Sequence, residues 1–314
     1  EPDFEIASIS GTSAGALNGA ALKSGLVMGG REAARENLDW LWEQVGAADE
    51  SFLSPWFDAV PARAISKSIE YSLPYMATDL VNRMVSPYSY GPFYQNPLQR
   101  IVERFSYEAV CADAGPELFI CATNVRTGKI RVFEGADIST EAIMASACLP
   151  TLFQAVEIDD PKTGRKEAYW DGGYTGNPAL FPLYEPRFPD DVVIVNINPL
   201  VREDVPNTPQ EIQNRINEIS FNTSLLRELR AVAFVKKLLR EGQMPAGTMK
   251  DVRVHMIADD ALMNELSVAT KTVPNPIILQ KLKDAGRAAA EVFLADGFKK
   301  VGHESSVDLH EMFD

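Results

Sequence analysis

Apolar positions along the chain fall into short runs separated by longer stretches at helical spacing. Phe4 to Ser10 is such a run, with Phe4, Ile6, Ala7 and Ile9 apolar, and it predicts a short buried strand. Ala14 to Leu26 is rich in Ala and Leu and has no β-branched residue, which predicts a helix. Gly25 and the pair Gly29-Gly30 punctuate the chain. Arg31 to Val45 then predicts a second helix, with Leu38, Leu41, Trp42 and Val45 three or four residues apart. Further on, Glu117 to Asn124 reads as a strand, and Thr127-Gly128-Lys129 turns into another at Ile130 to Phe133. Thr140 to Cys148 predicts a short helix stopped near Pro150. Asp191 to Asn198 is a continuous apolar run, the pattern of a strand covered on both faces. Thr208 to Arg240 follows a helical period as one long helix or two. Val252 to Ile257 predicts a last strand and Ile277 to Ala295 a last helix.

Strands alternating with helices predict an α/β fold: a mostly parallel central sheet with helices on both faces, in three α/β/α layers. One stretch breaks the alternation. From Phe52 to Tyr94 aromatic residues cluster (Phe52, Trp56, Phe57, Tyr71, Tyr75, Tyr88) among five prolines, which predicts an aromatic-rich, partly helical cap or lid-like insertion. Repeats and low-complexity tracts are not evident, so residues 1–314 read as a single domain carrying that insertion.

With 314 residues, 46% of them hydrophobic, the chain can bury a sizeable core, and no window approaches the roughly 18 apolar residues of a membrane span. A net charge of −14 argues against nucleic acid as a partner, because such binding needs Lys and Arg to replace counterions. It argues equally against docking on anionic lipid by charge, so peripheral membrane contact would have to use apolar and aromatic surface. Cys111, Cys121 and Cys148 are an odd number without metal-like spacing, which predicts a reduced, cytoplasmic chain. No clustered His, Cys or carboxylate set suggests a metal or other cofactor. Oligomeric state is not encoded in any pattern seen.

Candidate chemistry begins at Ser10-Gly11-Thr12-Ser13-Ala14-Gly15. A Gly-x-Ser-x-Gly string is weak alone, but here a predicted strand runs into it and a predicted helix runs out, as a nucleophile elbow requires. Such a turn strains the serine backbone, and Gly11 and Gly15 let neighbouring backbone approach. The hydroxyl of Ser13 then sits at a helix N-terminus, where free N–H groups, that of Ala14 foremost, favour developing negative charge. The bland alternative is a serine that only caps the helix.

A serine nucleophile needs a base. The chain has three histidines: His255 sits within a predicted strand, and His303 and His310 lie in a polar C-terminal stretch. Asp171, in Tyr169-Trp170-Asp171-Gly172-Gly173-Tyr174, is the better candidate, since Gly172 and Gly173 permit a tight turn that presents the carboxylate to another loop. An ordinary Asp-Gly turn is the competing reading.

Gly11-Thr12-Ser13-Ala14-Gly15 followed by a distant Asp171-Gly172-Gly173 resembles the patatin-like phospholipases. Ala122-Thr123-Asn124 with Thr127-Gly128, Ala145-Ser146-Ala147-Cys148-Leu149-Pro150, and Asn217 to Arg230 fit the family's bacterial members. The resemblance implies a lipid or acyl-ester substrate, Ser13 as nucleophile and Asp171 as a base acting on it directly, without cofactor. It also implies a strand and a Gly-rich oxyanion loop ahead of the elbow. The elbow stands at residue 13, so that segment is expected to fall outside this sequence. Two rivals stand beside this: a conventional Ser13–Asp171–His255 esterase, and a lipid-binding module without strong catalysis.

Overall fold

The computed structural model describes residues 4–46, 61–70, 72, 85–245, 247–266, 270 and 275–313. In chain order its elements are β1 (Ser8–Thr12), α1 (Ala14–Gly46), α2 (Ala62–Glu70), α3 (Gln99–Val102), α4 (Tyr107–Val110), β2 (Glu117–Asn124), β3 (Ile130–Glu134), α5 (Thr140–Ser146), β4 (Val156–Asp160) and β5 (Arg165–Asp171). They continue with β6 (Asp191–Asn196), α6 (Pro209–Arg240), β7 (Arg253–Ala258), α7 (Asp260–Glu265) and α8 (Pro276–Ala295). The described residues form two compact units, one within Glu1–Val45 and Ala77–Pro182, the other within Gly46–Met76 and Leu183–Asp314.

In the first unit everything is referred to β2. Phe119, Ile120 and Cys121 pair with β1 and with β3 at once, so β1 and β3 lie on opposite edges of β2. Ala122 and Thr123 pair with β3 and with β5 at once. β1 and β5 therefore lie end to end along one edge. β1 runs parallel to β2 and ends with Thr12 opposite Cys121; β5 runs antiparallel and ends with Asp171 opposite Ala122. Two strand C-termini thus meet at adjacent register positions.

The expected mostly parallel sheet is corrected here to a mixed one. Only β1–β2 is parallel in this unit, while β2–β3, β2–β5 and β4–β5 are antiparallel. Short connections account for β2–β3 and β4–β5, because a few residues can only reverse a strand, and a parallel return needs a crossover of a dozen or more. Gly128 (φ 65°) and Gly164 (φ 67°) supply the left-handed backbone of the two hairpin turns. Asn124 fixes the first turn, its Oδ1 accepting from the N–H groups of Arg126 and Thr127.

Every residue of β2 after Glu117 is buried, so both faces of the strand are covered and helices flank the sheet on both sides. Its Ile120 and Ala122 join a core with Ala16 and Ala20 of α1 and Ala142, Ile143 and Ala145 of α5, all without exposed surface. α1 is two helices joined at Gly29 and Gly30, where the backbone leaves helical geometry. Gly25 lies within the first of them rather than ending it. A Cβ at Gly25 would stand 2.3 Å from the Ala34 Cα, so the two halves cross in direct backbone contact.

In the second unit β6 and β7 pair in parallel. The expectation of two covered faces fails for β6, since Val195 is 68% exposed. A reciprocal capping box between Thr208 and Glu211 starts α6, which runs as one helix. Leu225, Leu229 and Val232 are its buried stripe, whereas Ile212, Ile216 and Ile219 are exposed. α2 contributes Ala62 and Ile65 to a small core with Leu266 and Ile278.

Of the expected cap at 52–94, residues 52–60, 71 and 73–84 lie outside the described residues. The described remainder divides: α2 belongs to the second unit, while the 3-10 turn Pro87–Phe93 joins the first, its Pro87 carbonyl accepting from Gln154. No described helix is long and apolar enough to cross a membrane.

Candidate active site

Ser13 is the single residue between the end of β1 and the start of α1. Its φ of 55° is the one positive value outside glycine among the described residues. That conformation costs a serine about 1–3 kcal/mol and persists only where surrounding contacts impose it. Gly11 is one such contact: a Cβ there would lie 2.3 Å from the Gly15 carbonyl oxygen. Gly15 itself has nothing within 4 Å of a would-be Cβ, so its lack of side chain leaves open space beside the serine. The helix's own bonding begins with Ala16 and Leu17 donating to the Ser13 carbonyl, which leaves the N–H of Ala14 ahead of the ladder.

Two alternate β1 side chains fasten this end of the sheet to the segment after Asp171. Ser10 Oγ donates to the Ala179 carbonyl at 2.6 Å, and Thr12 Oγ1 to that of Gly176 at 2.7 Å. Spacing by two puts both hydroxyls on one face. The repeat Ser8, Ser10, Thr12 was the available signal for them, in a strand otherwise read only for its apolar residues.

Asp171 is held through its backbone and one carboxylate oxygen. Its N–H donates to the Cys148 carbonyl at 2.8 Å, and its carbonyl accepts from Thr123 Oγ1 at 2.8 Å. Oδ1 accepts from the Gly173 N–H at 2.7 Å. Gly172 lets the turn approach, since a Cβ there would lie 2.2 Å from the Cys121 carbonyl oxygen and 2.9 Å from Thr12 Cγ2. Neither Gly172 nor Gly173 has a positive φ; close approach is what the first glycine provides.

Asp171 is 1% exposed, and its Oδ2 has no hydrogen-bond partner. Burial raises its pKa to about 6, against the Gly173 N–H and the Ser13 hydroxyl, which pull it down. No cation enters that balance. The Ser13 hydroxyl is thus near enough to bear on Asp171, although Oδ2 itself has no hydrogen-bond partner. The neighbouring Cys148 thiol is pushed to about 12 by burial and by the charge of Asp171, which keeps it neutral.

The other candidates are placed differently. His255 is completely buried in β7 with Nε2 3.0 Å from Asp191 Oδ1, an oxygen that also takes the Gly302 N–H. His303 and His310 are exposed. Among the described residues no group of three or more His, Cys, Asp or Glu side chains is arranged to hold a metal ion. Ser13 and Asp171, by contrast, emerge from strand ends that face adjacent residues of β2, with Gly11, Ala14 and Gly15 at one and Gly172 and Gly173 at the other.

No curated protein matches the chain. The family profile described as Patatin-like phospholipase matches residues 3–184, a span holding the elbow, the whole mixed sheet and the Asp171 turn. The chain belongs to the patatin-like phospholipase family, and membership implies lipid acyl hydrolase activity.

Proposed function

We propose that the chain is a serine acyl hydrolase that releases fatty acid from phospholipid, lysophospholipid or related lipid esters through a Ser13–Asp171 dyad. One observation carries this reading. A strained serine and a buried carboxylate lacking any cation adjoin on one edge of β2.

In the first half-reaction Asp171 takes the hydroxyl proton as Ser13 Oγ bonds to the ester carbonyl carbon. The carbonyl π pair moves to oxygen, and the Ala14 N–H at the mouth of α1 donates to that oxyanion. Collapse breaks the carbon–oxygen bond to the leaving alcohol or lysolipid, which receives the proton from Asp171. In the second half water gives its proton to Asp171 and attacks the acyl-serine. Collapse then releases the fatty acid, and Ser13 Oγ recovers the proton. A base with pKa near 6 suits both directions, being ionised at neutral pH and able to hold a proton briefly.

The Ser–His–Asp alternative would need His255, and its fully buried ring with Nε2 committed to Asp191 gives that alternative no support. Lipid-class profiling of purified protein tests the dyad. Wild type should release fatty acid, while Ser13→Ala and Asp171→Asn should not. Equal release by Asp171→Asn and wild type sinks the dyad. Lipid retention without release, and without fluorophosphonate labelling of Ser13, would favour a binding module.

A further inference from the structure

The Ser13 backbone is strained, and strain needs a restraint. Part of it comes from beyond the elbow. The Ser13 N–H donates to Ser146 Oγ at 2.9 Å, across 133 positions of sequence. This is the group that would otherwise continue the β1 ladder. Ser146 is completely buried and ends α5, a helix whose Ala142, Ile143 and Ala145 are fixed in the core. Two residues later the Cys148 carbonyl accepts the Asp171 N–H at 2.8 Å. One short rigid segment therefore touches the backbone of both dyad members: Ser13 by a side chain, Asp171 by a carbonyl.

Resting on the dyad reading above, we infer that Ser146 is a positioning residue, whose hydrogen bond to the Ser13 N–H holds the left-handed turn that aims Ser13 Oγ at Asp171. It contacts no reacting atom. Without it the Ser13 N–H loses its acceptor, the backbone can relax from φ 55° toward an ordinary value, and Oγ swings with it. A displacement of about 1 Å at a reacting group costs on the order of 100-fold in rate.

The experiment follows fluorophosphonate labelling of Ser13 in Ser146→Ala, reading the rate constant apart from the final labelled fraction. A fold defect lowers the fraction; misplacement lowers the rate constant. Ser146→Ala should reach the wild-type fraction with a rate constant roughly 10- to 100-fold lower. The midpoint of its rate–pH profile should also rise, because Asp171 loses the hydroxyl that pulls it down. Ser139→Ala is the control, removing the N-cap bond to Ala142 at the other end of α5. It should cost stability and leave the rate constant unchanged. If Ser146→Ala does not fold, Ser146→Cys keeps the volume with a weaker acceptor and should label at an intermediate rate.

A Ser146→Ala or Ser146→Cys rate constant within twofold of wild type overturns the inference, as does equal slowing by Ser139→Ala. Wild type that never labels at Ser13 is a different failure. It removes the dyad reading and this inference with it.

Discussion

The first unit buries two aspartates on one hairpin, and they are opposites. Asp160 ends β4 and is 2% exposed; Asp171 ends β5 and is 1% exposed. Arg131 grips both oxygens of Asp160 at 3.0 Å, and the Tyr169 hydroxyl adds a further bond. These partners outweigh burial and hold the Asp160 carboxyl down at about 2. Asp171 has one N–H on one oxygen and nothing on the other, so burial wins and its pKa rises to about 6. Near-equal exposure thus goes with opposite shifts, because Asp171 lies deeper in the protein and has fewer partners, whereas Asp160 lies shallower and has Arg131 and Tyr169. A satisfied carboxylate is a structural rivet. An unsatisfied one is kept at a cost in stability, which the proposed role as base would explain.

Exchanging partners or charges separates the two roles. The largest effect belongs to Asp171→Asn, which should lower kcat for ester hydrolysis by at least about 10⁴-fold, the cost of Asp→Asn at the carboxylate of a serine triad. Activity surviving within tenfold would erase the contrast. Next is Arg131→Met, which strands the Asp160 charge in the core. Denaturant melts should show a loss of about 3–5 kcal/mol, while the rate per folded molecule stays near wild type.

Asp171→Asn should also stabilise the fold. A buried acid with a raised pKa contributes stability below its unfolded value near 3.8, and that contribution is lost as pH rises through about 6. Above pH 7 the variant should gain up to about 3 kcal/mol over wild type, and below pH 4 almost nothing. Asp160 runs the other way: its contribution of about 2 kcal/mol is present above pH 4 and lost as pH falls toward 2. Acid titration of Arg131→Met against wild type should show the gap closing in that window. The smallest effect is the activity profile itself, with kcat/KM falling about tenfold per pH unit below 6 and flat above it.

How much of this was legible depends on range. The helix pair with its Gly29-Gly30 break, the strand Glu117–Asn124 and its hairpin to β3 were written in local pattern. The second hairpin was not, because Val156-Glu157-Ile158-Asp159-Asp160 alternates apolar and acidic residues too briefly to signal a strand. Without that hairpin the sheet reads as parallel. Val195 failed for another reason: an apolar run states what a strand could bury, not what covers it. Ser13 and Asp171 were visible as residue types beside glycines. Their meeting was not, since it depends on two pairing registers along β2. Ser146 was seen only inside a motif, and its bond to a backbone N–H leaves no mark in composition.

That shared edge of β2 also orders events in the life of the chain. If Asp171 is the base proposed above, a ribosome that has delivered the serine and β2 has made no hydrolase, because the carboxylate arrives with β5 after two more strands. A slip of β5 by one residue would turn Asp171 to the opposite face of the sheet. On the proposed dyad, unfinished and misregistered molecules would therefore be silent toward lipid, and hydrolytic power would certify that the sheet has closed in register.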